Sequence, residues 1–133
     1  MKILWISYYY LPHVGGGTWA TYNLSRLLSS KGHSIQIIAP NVTFSLSISG
    51  ADAQSLHNNN SSKLFRVPRF PLPRVLGPIL SFFPTFFSGL KAGKDAEIIV
   101  CQFHPHHLGM LSAVLLGWVF KRPVVARADD VFR

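Results

Sequence analysis

Cysteine is almost missing from this chain: Cys101 stands alone among 133 residues. That excludes an intramolecular disulfide framework and suits a reducing compartment. Acidic residues are nearly as scarce, 5 Asp and Glu against 13 Lys and Arg, giving a formal charge of +8. Such a balance favours anionic partners: nucleic acid, phospholipid headgroups or phosphorylated substrates. The basic residues are scattered, with no dense run and no nucleic-acid motif, which argues against nucleic acid. No window reaches the ~20 apolar residues of a spanning helix. Leu108 to Phe120 is the longest attempt and reads as a buried helix. The apolar stretch behind Lys2 is broken by tyrosines and Pro12, unlike a secretory leader, so the expectation is a cytoplasmic chain.

Several nucleotide and hydrolase signatures are absent too. There is no G-x-x-x-x-G-K-[ST] phosphate loop and no G-x-S-x-G elbow. A dinucleotide fingerprint would put G-x-G-x-x-G directly behind the first strand and an acidic residue at the end of the second. Here the glycines arrive late and the second strand ends in Ala39-Pro40-Asn41, so a nicotinamide or flavin dehydrogenase is not expected. Cys101, His104, His106 and His107 crowd one segment. A single strand-to-helix loop rarely wraps three neighbours around one tetrahedral zinc, and no metal is expected. Cys101 itself reads as a small buried strand residue.

What the chain does contain is a packed globular composition, 48% hydrophobic and 14% charged, enough for one domain over residues 1–133. Ile3-Leu4-Trp5-Ile6 is an apolar strand. Gly15-Gly16-Gly17 follows a short loop, and a helical pattern runs from Thr18 to Lys31 before stopping at Gly32-His33. The glycines permit close approach to the main chain, and a helix N-terminus favours an anion. Ala20, Leu24, Leu27 and Leu28, extended by the Lys31 stem, form the expected core stripe of that helix. Trp19 lies off it, either packed on a neighbouring loop or walling a substrate site.

Ser34 to Pro40 reads as a second strand, completing a βαβ unit and implying a parallel sheet. Residues 41–63 read as a flexible loop rich in Ser and Asn. Leu64 to Arg69 is a short strand near an edge because of its proline. Arg74 to Lys94 carries Phe82, Phe83, Phe86 and Phe87 among other apolar residues, broken by Pro78 and Pro84 and flanked by basic residues. Two readings stand: a core helix with a broken start, or a membrane face whose basic flanks meet anionic headgroups and receive a lipid acceptor. Ile98 to Cys101 reads as a central strand buried on both faces. The helix Leu108 to Phe120 and the strand Val124 to Ala126 follow, and the chain ends at a carboxyl-end loop holding Asp129 and Asp130. The fold class is therefore α/β, a Rossmann-like open parallel sheet flanked by helices.

Taken together, Lys2-Ile3-Leu4, the Pro12-x-x-Gly15-Gly16 loop, the leucine-rich helix and Gly32-His33, with fifteen residues between Gly16 and Gly32, resemble the N-terminal domain of GT-B glycosyltransferases. The group resembled most is family 4, which is retaining and uses sugar nucleotides. Val67-Pro68-Arg69, Asp95-Ala96-Glu97-Ile98-Ile99 and Pro123-Val124-Val125-Ala126 resemble later strands of that domain. The resemblance implies an acceptor-side half of a two-domain cleft, truncated here, that transfers a sugar from a nucleotide-sugar donor to a lipid-linked or glycan acceptor. It implies Gly15, Gly16 and Gly17 as the loop facing the donor diphosphate, with His13, Trp19, His104 and Asp130 along the acceptor cleft. It implies no metal or resident cofactor, the nucleotide sugar being a co-substrate. Asp129 occupies the position of the family's histidine, where a carboxylate accepts a hydrogen bond from a sugar hydroxyl but cannot donate one. Without a donor-binding domain or a separate subunit supplying one, the isolated chain is expected to be inactive. The alternative is a non-catalytic membrane- or protein-interaction module that keeps the Rossmann-like fold. Such a domain is cytoplasmic or peripheral at an anionic membrane surface. Donor sugar, acceptor and oligomeric state are not encoded in any motif of the sequence.

Overall fold

Alternating apolar runs and helical repeats produce five strands and four helices in strict alternation: β1 (Lys2–Ile6), α1 (Gly16–Ser30), β2 (Ser34–Pro40), α2 (Gly50–Asn58), β3 (Lys63–Val67), α3 (Leu76–Ala92), β4 (Ile98–Phe103), α4 (Gly109–Phe120) and β5 (Val124–Ala128). The computed structural model describes residues 1–8, 10–12, 15–40, 49–58, 62–68, 76–103 and 108–128. The strands form one sheet in the order β3-β2-β1-β4-β5, and every neighbouring pair is parallel. This is the expected α/β, Rossmann-like architecture. The order reverses between β1 and β4, the point of an open parallel sheet at whose carboxyl edge a ligand site is expected.

Strand alternation divides the core into two layers. On one face Leu4, Ile6, Ile38, Val67, Ile99 and Cys101 meet α3 and α4 through Ala92, Ala113 and Leu116. On the other, Ile3, Trp5, Ile35, Ile37 and Ala39 meet α1 and α2 through Tyr22 and Ala53. Burial raises the Cys101 thiol to about 12, so it stays protonated and inert near neutrality, an ordinary strand residue. α3 lies close enough to α4 that a Cβ on Gly89 would strike the Leu116 side chain.

Three expectations change. The buried face of α1 is Thr18, Thr21, Tyr22 and Ser25, while Leu24 and Leu27 are 37% and 51% exposed. Both stripes have helical spacing; the buried one faces the sheet where α1 packs beside β2, and its short hydroxyl side chains allow that approach. Within the segment read as a loop, residues 50–58 are helical. Ser49 Oγ caps that helix by accepting from the Asp52 amide at 3.1 Å and donating to Asp52 Oδ2 at 2.6 Å, an N-cap the serine-rich composition obscures. β4 is buried on one face only: Ile99 and Cys101 are fully covered, whereas Ile98 and Val100 are half-buried. Among the described residues no helix covers β4 and β5 on the α1 side, and Val125 is 46% exposed there.

α3 runs unbroken through Pro84. That proline cannot donate to the Leu80 carbonyl, but the Thr85 hydroxyl bonds the Ser81 carbonyl at 2.9 Å in the same turn. β3 is an edge strand, as its terminal proline suggests.

Candidate functional site at the carboxyl edge

Parallel register places one row of side chains across the sheet just below its carboxyl edge. Ala39 is registered with Arg66, Ile6 with both Ile38 and Cys101, and Gln102 with Arg127. One residue past Ile6 therefore aligns Arg66, Ala39, Ser7, Gln102 and Arg127 along the α1 side of the sheet. Two guanidinium groups end the row, and no acidic side chain belongs to it.

The middle of the row is a buried hydrogen-bonded junction. Ser7 Oγ donates to Gln102 Oε1 at 2.8 Å, and the Tyr8 amide donates to the same oxygen at 3.2 Å. The Ser7 amide in turn donates to the Ile38 carbonyl at 2.9 Å. The first residues after β1 are thus tied to β2 on one side and β4 on the other, across the point where strand order reverses. At one end, Arg127 holds its guanidinium 5.8 Å over the Trp5 ring. At the other, Arg66 lies 5.9 Å over the Tyr10 ring and its Nη1 donates to the Pro40 carbonyl at 3.5 Å. Tyr10 also meets His57, with its hydroxyl 3.3 Å from Nδ1 and the rings edge-on. Burial first, and the Arg66 charge second, lower the His57 pKa.

Above this row α1 begins. A helix following β1 in a βαβ unit runs back against the strands, so its N-terminus sits at the carboxyl edge. Its C-terminus returns to the amino edge, where Gly32, at φ 88°, turns the chain and the Ser34 amide reaches the Met1 carbonyl at 2.9 Å. Gly15 caps α1 in an extended conformation with no side-chain hydrogen bond, and the first turn holds no acidic residue. The amides of Gly16, Gly17 and Thr18 have no intrahelical acceptor. A Cβ on Gly16 would meet nothing within 4 Å, so the flank of the first turn is open at that position. Thr18 is 1% exposed and its hydroxyl has no hydrogen-bond partner. Oriented N–H groups, the helix dipole and a buried hydroxyl, set over a row ended by two arginines, suit an anion of phosphate size.

Of the residues singled out from sequence, Gly15, Gly16 and Gly17 lie at this helix start. Trp19 is half-buried one residue beyond Thr18, edge-on to Tyr22 at 5.9 Å, and packs on the second core layer. His13, His104, Asp129 and Asp130 fall outside the described residues, as do His106 and His107. Phe83 and Phe87 are 51% and 62% exposed. Phe82 and Phe86 are half-buried and stack on each other at 5.7 Å, with Phe86 also against the core. Ser7, Gln102, Thr18 and the two arginines were not anticipated. Their signal is faint: a polar residue closing each of two apolar strands, Ser7 after Ile6 and Gln102 after Cys101.

No family model matches the sequence, and no curated protein matches it either. Solved structures do resemble the fold. The C-terminal domain of PF1911 hydrogenase from Pyrococcus furiosus superposes with a TM-score of 0.65 at 14% identity, covering 95% of this chain and 90% of that one. A UGT transferase from Siraitia grosvenorii in complex with UDP gives 0.54 at 13% identity, over 95% of this chain and 27% of that one. Phytolacca americana UGT2, complexed with UDP-2fluoro-glucose and pterostilbene, gives 0.56 at 12% identity, over 96% and 30%. The chain thus spans under a third of these GT-B glycosyltransferases, and at such identities the likeness is one of fold.

Proposed function

We propose that this chain is the acceptor-side domain of a sugar-nucleotide-dependent glycosyltransferase resembling the retaining family 4 enzymes. Its carboxyl edge forms one wall of the cleft in which the sugar is transferred. The observation that carries this reading is the open, uncapped glycine N-terminus of α1 at the strand-order reversal. A likeness in fold to parts of glycosyltransferases solved with UDP supports it. In such a transfer the bond from the anomeric carbon to the diphosphate oxygen breaks and its electron pair leaves with the diphosphate. A bond forms to an acceptor hydroxyl oxygen, which gives up its proton. The amides of Gly16, Gly17 and Thr18 disperse charge on the leaving diphosphate. His13, Trp19, His104 and Asp130 are assigned to the acceptor side, and Asp129 to a sugar hydroxyl as hydrogen-bond acceptor. No metal is required by this arrangement. The opposite wall, and with it the grip on the nucleoside and donor sugar, belongs to a second domain or subunit, so residues 1–133 alone do not turn over.

UDP titrated into the purified chain tests the reading. Gly16→Asp is the informative variant: its carboxylate has room and favours the helix dipole, yet repels a diphosphate. Weak UDP binding by the native chain, reduced roughly tenfold or more in Gly16→Asp with the melting temperature held or raised, is expected. UDP binding indifferent to that substitution sinks the reading and leaves a non-catalytic interaction module in its place.

A further inference from the structure

α3 and α4 lie side by side on one sheet face, and each turns an unusually apolar side outward. On α3, Leu76, Ile79, Phe83 and Phe87 fall on one stripe and are 52%, 44%, 51% and 62% exposed. On α4, Leu111, Val114 and Trp118 do the same at 46%, 47% and 80%. Neither helix contains an acidic residue. Gly89 faces Leu116 across the contact between the two helices, so both stripes lie on neighbouring helices of one sheet face and together expose far more large apolar surface than scattered single residues would. No helix among the described residues is long and apolar enough to cross a membrane.

Charge identifies what the patch fits. Both helices run toward the sheet's amino edge and end there in exposed cations: Lys91 in the last turn of α3 and Lys94 after it, Lys121 and Arg122 after α4. Asp95 and Glu97 are the acidic residues of the described chain on that edge. A second copy carries the same net charge of +8 and is repelled by it. An anionic lipid surface meets both requirements at once, taking large aromatic and aliphatic side chains at the acyl boundary and cations at the headgroups.

We propose that the outward faces of α3 and α4 form a peripheral membrane-docking surface, seating Phe83, Phe87 and Trp118 at the headgroup–acyl boundary of an anionic bilayer with the basic helix ends among the headgroups. The side chains lie in the interface plane, to a depth of ~5–10 Å. The proposal is independent of sugar transfer, since it uses the sheet face and edge remote from the α1 N-terminus.

Co-sedimentation of the whole chain with phosphatidylcholine vesicles, with and without phosphatidylglycerol, tests it. Binding is expected to the anionic vesicles, to weaken with salt, and to fall on the order of tenfold in Lys121→Gln/Lys91→Gln. The triple variant Phe83→Ser/Phe87→Ser/Trp118→Ser should lose binding while keeping its native circular dichroism and melting transition. Emission from Trp118, obtained by subtracting the Trp118→Phe variant, should shift to the blue on adding vesicles. Equal binding to neutral and anionic vesicles overturns the proposal, as does binding unaffected by the triple variant. So does a triple variant that only changes the oligomeric state in the absence of lipid, which would make the patch a protein interface. Trp118 emission unmoved in the bound state would likewise place another surface on the bilayer.

Discussion

Ser7 Oγ donates to Gln102 Oε1 at 2.8 Å, joining the ends of β1 and β4 at the one place where the strand order of the sheet reverses. The same oxygen accepts the Tyr8 amide, and both side chains are buried, at 0% and 5% exposure. Replacing Gln102 by Leu removes the acceptor shared by the Ser7 hydroxyl and the Tyr8 amide, a loss of about 1–3 kcal/mol. Ser7→Ala removes one donor while Tyr8 still pairs with the oxygen, and should cost less. Chemical denaturation of both single variants and the double variant would show coupling between them. Strictly additive losses would mean the junction does not act as a unit.

His57 supplies a pH dependence whose sign follows from its surroundings. Its native pKa lies below the ordinary 6.5, from burial and the Arg66 charge. In the unfolded chain the imidazole protonates as pH falls through that ordinary value, while the native state still resists the proton. Stability is thus complete above about 6.5 and declines as pH drops toward the native pKa, levelling off below it. The difference in melting temperature between native chain and His57→Gln, followed from neutral to mildly acidic pH, should shrink toward acid. A constant difference would show that His57 does not titrate against folding.

Close packing of α3 makes a third prediction. A Cβ on Gly93 would stand 2.7 Å from the Gly89 carbonyl oxygen and 2.7 Å from Leu4 Cδ2. The oxygen is backbone of α3 itself and already accepts the Gly93 amide at 2.7 Å, so relief requires the turn that follows α3 to open. Gly93→Ala should lose about 1–3 kcal/mol, read as a lower urea midpoint at unchanged slope. A midpoint equal to that of the native chain would show that this end of α3 yields freely.

The architecture was legible because parallel strands announce themselves as short apolar runs spaced by helical repeats, and Ile3 to Ile6, Ser34 to Pro40 and Ile98 to Cys101 do so plainly. The position of the glycine segment followed from the same alternation. Other features were hidden for identifiable reasons. On α1 the leucine stripe outscored the Thr18, Thr21, Tyr22 and Ser25 stripe by hydrophobicity, although closeness to the sheet selects the smaller side chains. α2 is short and polar, and its apolar contribution to the core is Ala53 and Leu56, so composition reads it as loop. The row from Arg66 to Arg127 arises only from strand register, which brings together residues as distant in sequence as Ser7 and Gln102, 95 positions apart. The outward apolar side of α4 was unreadable for the opposite reason: a helix apolar on every side looks like one buried on every side, until Trp118 is found in solvent.

The Thr18 hydroxyl separates structure from binding most cleanly. It is buried without a partner, and a group in that state opposes folding. Thr18→Val keeps the branched shape, discards the orphaned hydroxyl and should stabilise the chain by about 1 kcal/mol. The hydroxyl sits at the third position of α1, beside the amides that would receive a diphosphate, so the same substitution should weaken UDP binding several-fold. A protein that melts higher and binds UDP less well would mean that a cost borne in the empty domain is recovered when an anion arrives. Higher stability with unchanged UDP affinity would make Thr18 a packing residue alone and move the diphosphate away from this helix end.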